Sequence, residues 1–136
     1  MKFVKILLIE DDPLDSTNIK RNLNKLDIHY KIEETRNGEE ALMSLKQNQE
    51  ENNYPDLILL DINMPRMNGF EFLKNIRSIK NLKHLKCFII STSDQGIDRE
   101  TAKNLGISGY IVKPLKLNNP KSIDSFNLMI DLLNFK

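Results

Sequence analysis

Short apolar runs alternate with amphipathic segments along most of the chain. Three of the runs are almost continuously apolar, as is typical of strands buried on both faces of a parallel sheet, and they cover residues 4–9, 57–60 and 88–90. Around Ile28, Tyr30 and Ile32 apolar and polar residues alternate, which predicts a half-exposed strand at a sheet edge. A fifth run covers residues 110–112. This alternation predicts an α/β fold, with five parallel strands and helices on both faces of the sheet.

The segments between the strands have helical periodicity and recognisable start signals. Asp12 and Pro13 predict an N-cap followed by proline at the first helical position. Three more helices are predicted to begin near Gly38, Gly69 and residue 98. In the last helix, spacings of three and four predict an inward-facing stripe formed by Ile123, Phe126, Ile130 and Leu133. The polar run at residues 46–53 is interpreted as an insertion between two elements.

Composition narrows the class of protein. The 136 residues are 40% hydrophobic and 29% charged, which favours one globular domain over residues 1–136, with no effector domain. A net charge of +1 gives no strong positive potential that would attract nucleic acid or an anionic membrane. No apolar stretch reaches the length of a membrane span. Because Cys87 is the only cysteine, a disulfide scaffold is excluded, and we expect a cytoplasmic location.

Candidate chemistry is concentrated where the predicted strands end. The first strand is followed by Glu10, Asp11 and Asp12, and the third by Asp61. The fourth ends at Ser91, and the fifth is followed by Lys113 and Pro114. Ligands of open parallel sheets bind beyond the carboxyl ends of the strands, so these positions are the best candidates for a functional site.

Three segments carry a family resemblance. Residues 6–13 (ILLIEDDP), 60–69 (LDINMPRMNG) and 109–114 (GYIVKP) resemble the receiver domain of bacterial two-component response regulators. The spacings agree, with 30 residues from Asp61 to Ser91 and 22 from Ser91 to Lys113. The resemblance spans essentially the whole chain and implies a flavodoxin-like, doubly wound sheet with strand order 2-1-3-4-5.

In that strand order the first and third strands are neighbours, which places three carboxylates in one pocket. Glu10, Asp11 and Asp61 repel one another there, and they remain ionised together at neutral pH only if a cation neutralises them. A hard divalent ion with oxygen ligands suits such a cluster. We therefore expect Mg²⁺.

The resemblance also implies a role for each site residue. Asp61 is the phosphoacceptor, which receives phosphate from a sensor histidine kinase or a histidine phosphotransfer protein. Glu10 and Asp11 hold Mg²⁺ together with Asp61 and the main-chain carbonyl of Asn63. Asp12 either joins the metal ligands or only caps the first helix.

Three further positions are implied on the other side of the pocket. Lys113 pairs with the phosphoryl oxygens, and its bond to Pro114 is cis. Ser91 supplies the switch hydroxyl, where threonine is commoner, and Tyr110 is the aromatic switch residue.

The favoured function is a single-domain response regulator that switches partner binding and catalyses only its own phosphorylation and slow dephosphorylation. A flavodoxin-like cofactor binder needs a phosphate-cradling loop where this chain has Glu10, Asp11, Asp12 and Pro13. An aspartate-nucleophile phosphatase needs an acid in place of Asn63. The alternative is a degenerate receiver that acts as a phosphorylation-independent scaffold, against which the full set of acids, hydroxyl and lysine argues.

The output surface is expected on the last helix. Besides its predicted inward stripe, this helix has three more apolar residues, Leu128, Met129 and Leu132. That is more than one buried face requires, so the surplus indicates a contact surface. We expect a homodimer or a partner protein there. The sequence does not identify the downstream target.

Overall fold

The computed structural model describes residues 3–50, 53–62, 67–92 and 96–134. In this part of the chain, five parallel strands form one sheet. The strands are β1 (Val4–Ile9), β2 (Tyr30–Thr35), β3 (Leu57–Leu60), β4 (Cys87–Ser91) and β5 (Gly109–Val112), and their order in the sheet is β2-β1-β3-β4-β5. The predicted fold class and strand order are confirmed, and the half-exposed strand β2 lies at a sheet edge as its alternating pattern indicates.

Among the described residues, five helices connect and cover the strands: α1 (Pro13–Asn24), α2 (Gly38–Glu50), α3 (Gly69–Ser78), α4 (Gly96–Asn104) and α5 (Ile123–Asn134). The predicted N-cap of α1 is confirmed, because the Asp12 side chain accepts the Leu14 N–H at 2.8 Å. The insertion predicted from residue 46 onward is wrong in its first part, since α2 continues to Glu50. Within the described ranges, no helix is long and apolar enough to cross a membrane.

The sheet has a separate apolar core on each face. Side chains alternate along β1, so Leu7 and Ile9 pack on one face while Ile6 and Leu8 pack on the other. The first face is covered by apolar residues of α2, α3 and α4, and the second by those of α1 and α5. Burial on both faces explains why the central strands are apolar at nearly every position.

The orientation of α5 is opposite to the one predicted. Leu128 and Leu132 are fully buried against the sheet, whereas Ile123, Phe126, Ile130 and Leu133 are exposed, Ile123 by 70% and Phe126 by 43%. Periodicity could not decide between the two faces, because both have apolar residues at helical spacing. Two polar contacts anchor the observed orientation: Asp124 accepts the Tyr110 N–H at 3.0 Å, and Asp131 pairs with Lys86 at 3.0 Å.

Arg77, near the end of α3, connects two loops at the amino-terminal edge of the sheet. Its guanidinium donates to the carbonyl oxygens of Lys83 and Leu85 at 2.9 Å and of Leu105, just after α4, at 2.8 Å. These carbonyl groups lie at helix ends or in loops, where strands and helices supply few donors. Arg77 thereby holds the end of α4 against the connection between α3 and β4.

Candidate functional site

Backbone hydrogen bonds extend the sheet one residue beyond the strands at its carboxyl edge. The Glu10 N–H donates to the Thr35 carbonyl at 2.9 Å, and the Asp61 N–H donates to the Ile9 carbonyl at 3.0 Å. At the same edge, between β4 and β5, the Lys113 N–H donates to the Ser91 carbonyl at 2.8 Å. Glu10, Asp61 and Lys113 are therefore held by the sheet itself rather than by a loop.

Three carboxylates come together at this edge, as predicted. One carboxylate oxygen from each of Glu10, Asp11 and Asp61 lies within 4.8 Å of the others. Glu10 and Asp61 are buried, and Asp11 is exposed to solvent. The cluster is therefore buried at Glu10 and Asp61 and open to solvent at Asp11, so the three oxygens can act as ligands of one cation.

The Lys113 side chain enters the same pocket from β5. Its Nζ lies 2.8 Å from Glu10 Oε1 and 3.5 Å from Asp61 Oδ2. It also lies 2.7 Å from Oδ2 of Asp15, which the sequence analysis did not single out. An acid in the first turn of a helix is common because it interacts favourably with the helix dipole, so nothing in the sequence pointed to this contact. The predicted cis peptide bond between Lys113 and Pro114 is present.

Burial and charge shift two pKa values in the pocket. Burial, to which the negative charge of Asp61 adds, raises the pKa of Glu10 to about 7 despite the hydrogen bond from Lys113. Burial alone lowers the pKa of Lys113, but hydrogen bonds to Asp15 and Glu10 outweigh it and raise the pKa above its usual value. Lys113 is thus a cation at neutral pH, and burial favours the protonated form of the Glu10 carboxyl.

Asp12 lies next to this cluster but has a different role. Its side chain caps α1, and its N–H donates to Glu10 Oε2 at 3.2 Å. Among the described residues, the group of acids close enough to share a metal ion consists of Glu10, Asp11 and Asp61. The structure therefore supports the helix-cap alternative for Asp12. The predicted ligand Asn63 lies outside the described residues.

Ser91 and Tyr110 flank the pocket on β4 and β5. Ser91 is fully buried and pairs with Val112, the residue before Lys113. Tyr110 is also buried, and the Arg99 guanidinium lies 4.9 Å from the centre of its ring. The tyrosine ring is therefore already inside the protein in this structure, and any change of its position on activation starts from a buried state.

The start of α3 packs directly on the backbone of Asp61. The Gly69 N–H donates to the Ile62 carbonyl at 3.0 Å. A Cβ atom at Gly69 would lie 2.7 Å from Ile62 Cα and 2.9 Å from the Asp61 carbonyl oxygen, closer than real Cβ contacts allow. Only glycine leaves room for this approach, so Gly69 is a further residue that shapes the site.

Comparison with known proteins gives consistent results over most of the chain. The family model described as the response regulator receiver domain matches residues 6–122. A crystal structure of a two-component response regulator from Legionella pneumophila is 34% identical, with a TM-score of 0.79 over 97% of this chain and 99% of that one. The Mn²⁺-bound form of response regulator Rcp1 is 27% identical, with a TM-score of 0.73 over 97% and 96% of the two chains.

Some relatives are longer proteins. The probable C4-dicarboxylate response regulator DctR of Halalkalibacterium halodurans is 34% identical over 122 residues, which are 88% of this chain but 49% of that protein. The chain thus spans about half the length of this curated relative.

Proposed function

Because the chain belongs to the response regulator receiver domain family, we propose that it is a phosphorylation-driven switch in which Asp61 accepts the phosphoryl group. The observation that carries the proposal is the meeting of Glu10, Asp11, Asp61 and Lys113 at one edge of the sheet. A buried carboxylate beside a fixed ammonium and two further acids is the arrangement that phosphoryl transfer to an aspartate requires.

The chemical step follows from the positions of these groups. A carboxylate oxygen of Asp61 attacks the phosphorus of a phosphohistidine on a histidine kinase or phosphotransfer protein. As the new P–O bond forms, the P–N bond breaks, and the imidazole nitrogen leaves with the electron pair. Lys113, whose Nζ is 3.5 Å from Asp61, donates to a phosphoryl oxygen, and the Ser91 hydroxyl donates to another.

Glu10, Asp11 and Asp61 fit a divalent cation, and we propose that Mg²⁺ binds there. Three oxygen ligands with one open side suit an ion that keeps several waters. The three carboxylates lie beside the Lys113 ammonium, so negative charge is in excess in the pocket, and the related Rcp1 has a Mn²⁺-bound form. When bound, Mg²⁺ neutralises part of the charge of the phosphoryl group and of the attacking carboxylate.

The output of the switch is binding of a partner protein rather than turnover of a substrate. Lys113 directly follows β5, and Tyr110 lies in β5 three positions earlier. A movement of Lys113 toward the phosphoryl group is therefore transmitted along β5 to Tyr110, next to α4 and α5. The rival function, a phosphorylation-independent scaffold, leaves unexplained why the buried acids Glu10 and Asp61 lie beside Lys113, because burying charged groups costs free energy even when they are paired.

The phosphoacceptor role predicts a mass change. With Mg²⁺ and a small phosphodonor such as acetyl phosphate, the wild-type protein should gain one phosphoryl group, and Asp61→Asn should gain none, as measured by intact mass spectrometry. The control is Asp27→Asn, which changes an exposed acid between α1 and β2, outside the carboxylate cluster. It should be labelled like wild type. Labelling of Asp61→Asn, or equal labelling in excess EDTA, would contradict the assignment.

The metal ligands predict an order of affinities. Glu10→Gln and Asp11→Asn should each weaken Mg²⁺ binding by about tenfold or more, a loss seen even for residues that only orient metal ligands. Asp12→Asn removes one negative charge at the adjacent position and keeps a good N-cap residue. It should leave the Mg²⁺ affinity close to that of the wild type. Calorimetric titration measures all three. Equal losses for Asp12→Asn and Asp11→Asn would show that Asp12 is a ligand.

The switch roles of Ser91 and Tyr110 predict that phosphorylation and response can be separated. Ser91→Ala should still be phosphorylated, because Asp61 remains, but the ring of Tyr110 should no longer respond, because the hydroxyl that moves toward the phosphoryl group is gone. The measurement is ¹⁹F NMR of protein labelled with 3-fluorotyrosine, with Tyr110→Phe used to assign the signal. A normal response in Ser91→Ala would refute the coupling.

Self-association through α5 stays a prediction, now with the residues of its outer face. Phosphorylation or a beryllofluoride mimic should increase dimerisation, and Phe126→Glu should abolish it, because Phe126 lies in the exposed apolar stripe with Ile123, Ile130 and Leu133. Light scattering with and without the mimic measures the effect. A wild-type protein that remains monomeric at high concentration in both states would exclude the homodimer.

A further inference from the structure

Asp15 makes the shortest contact of the Lys113 ammonium. The distances from Nζ are 2.7 Å to Asp15, 2.8 Å to Glu10 and 3.5 Å to Asp61. The Asp15 carboxylate comes from the first turn of α1, 98 residues before Lys113 in the sequence. The Lys113 side chain is only 11% exposed, so its position in the pocket is set by these partners rather than by water.

The number of N–H donors on the Lys113 ammonium limits how many carboxylates it can bind at once. Lys113 has three N–H bonds, and the contacts with Asp15 and Glu10 use two of them. The third neighbour of Nζ is Asp61, whose Oδ2 is 3.5 Å away, longer than a normal N–H···O hydrogen bond of roughly 2.7–3.2 Å. The ammonium group is thus held by two short contacts, and its longer contact is with the phosphoacceptor.

Asp15 is a rigid anchor because α1 is firmly held. Asp12 caps the helix, and Ile19 and Leu23 are buried in the core one and two turns later. An acid at this position also favours the helix dipole, and that explains the presence of a carboxylate in the first turn. The dipole does not explain why the carboxylate is in contact with a lysine from the opposite end of the chain.

We propose that Asp15 is a positioning residue: together with Glu10 it fixes the Lys113 ammonium so that the third N–H points at the phosphoryl group on Asp61. The proposal rests on the proposed function of Asp61 as phosphoacceptor. Asp15 touches neither the phosphoryl group nor the reacting oxygen. It acts through Lys113 alone.

The direction of the effect separates positioning from simple charge repulsion. Loss of the Asp15 carboxylate removes a negative charge, which by itself strengthens the binding of an anion at Asp61. Loss of an anchor has the opposite effect, because an ammonium held only by Glu10 spends less time directed at Asp61. Asp15 is partly exposed, so the expected loss is about two- to fivefold in affinity, the range of such ion pairs.

The first test is beryllofluoride binding in the presence of Mg²⁺, measured by ¹⁹F NMR titration. Asp15→Asn, which has nearly the same shape but no charge, should bind about two- to fivefold more weakly than wild type. Asp12→Asn removes one charge from the same helix end and keeps the cap, so it reports the effect of charge alone and should bind as tightly as wild type or slightly more tightly. Wild-type or tighter binding by Asp15→Asn would overturn the proposal.

The second test observes the ammonium group directly and needs no phosphoryl mimic. In ¹⁵N NMR the Lys113 ammonium of the wild type should exchange slowly with water, and Asp15→Asn should accelerate this exchange, while Asp15→Glu should restore part of the protection. Unchanged exchange in Asp15→Asn would overturn the proposal. If the wild type binds no beryllofluoride, the proposed function fails, and the exchange measurement still decides whether Asp15 anchors Lys113.

Discussion

The rest of the site depends on the ammonium group of Lys113 in a pocket of carboxylates. Within the described residues it contacts Glu10 and Asp61, which directly follow β1 and β3, and Asp15 in α1, while Lys113 itself follows β5. The parallel sheet makes this meeting possible, because the carboxyl ends of all strands lie at one edge. One cation thereby connects the first helix, the middle of the sheet and its last strand.

This pocket is electrostatically incomplete. Glu10, Asp11, Asp15 and Asp61 bring four carboxyl groups near the Lys113 ammonium, and burial, to which the charge of Asp61 adds, raises the pKa of Glu10. In the proposed function, a divalent cation balances these carboxylates, and the phosphoryl group on Asp61 then adds charge that the cation and Lys113 share. Such a switch distinguishes its states by charge, and we expect a change of binding surface rather than a change of fold.

The connection from site to surface is short. Tyr110 and Lys113 lie three residues apart, and the Tyr110 N–H is bound by Asp124 of α5. The same contact helps to turn the apolar stripe of α5 toward the solvent, where a partner can reach it. The chemistry and the surface are therefore parts of one packing arrangement around β5.

Most of the fold could be predicted from the sequence, because its signals are local. The apolar runs of β1, β3 and β4 mark buried strands, Asp12 and Pro13 mark the start of α1, and acids directly after β1 and β3 mark the site. The family resemblance supplied the strand order and the cis peptide bond before Pro114, and the structure has both.

Tertiary structure alone decided the features that depend on distant partners. The orientation of α5 is set by contacts of Asp124 and Asp131 with other elements, since its periodicity allows two apolar faces. The polar end of α2 carried no apolar stripe to show that the helix continues to Glu50. Asp15 meets Lys113 across 98 residues, a contact that no local pattern encodes, because it exists only once α1 has packed against the sheet.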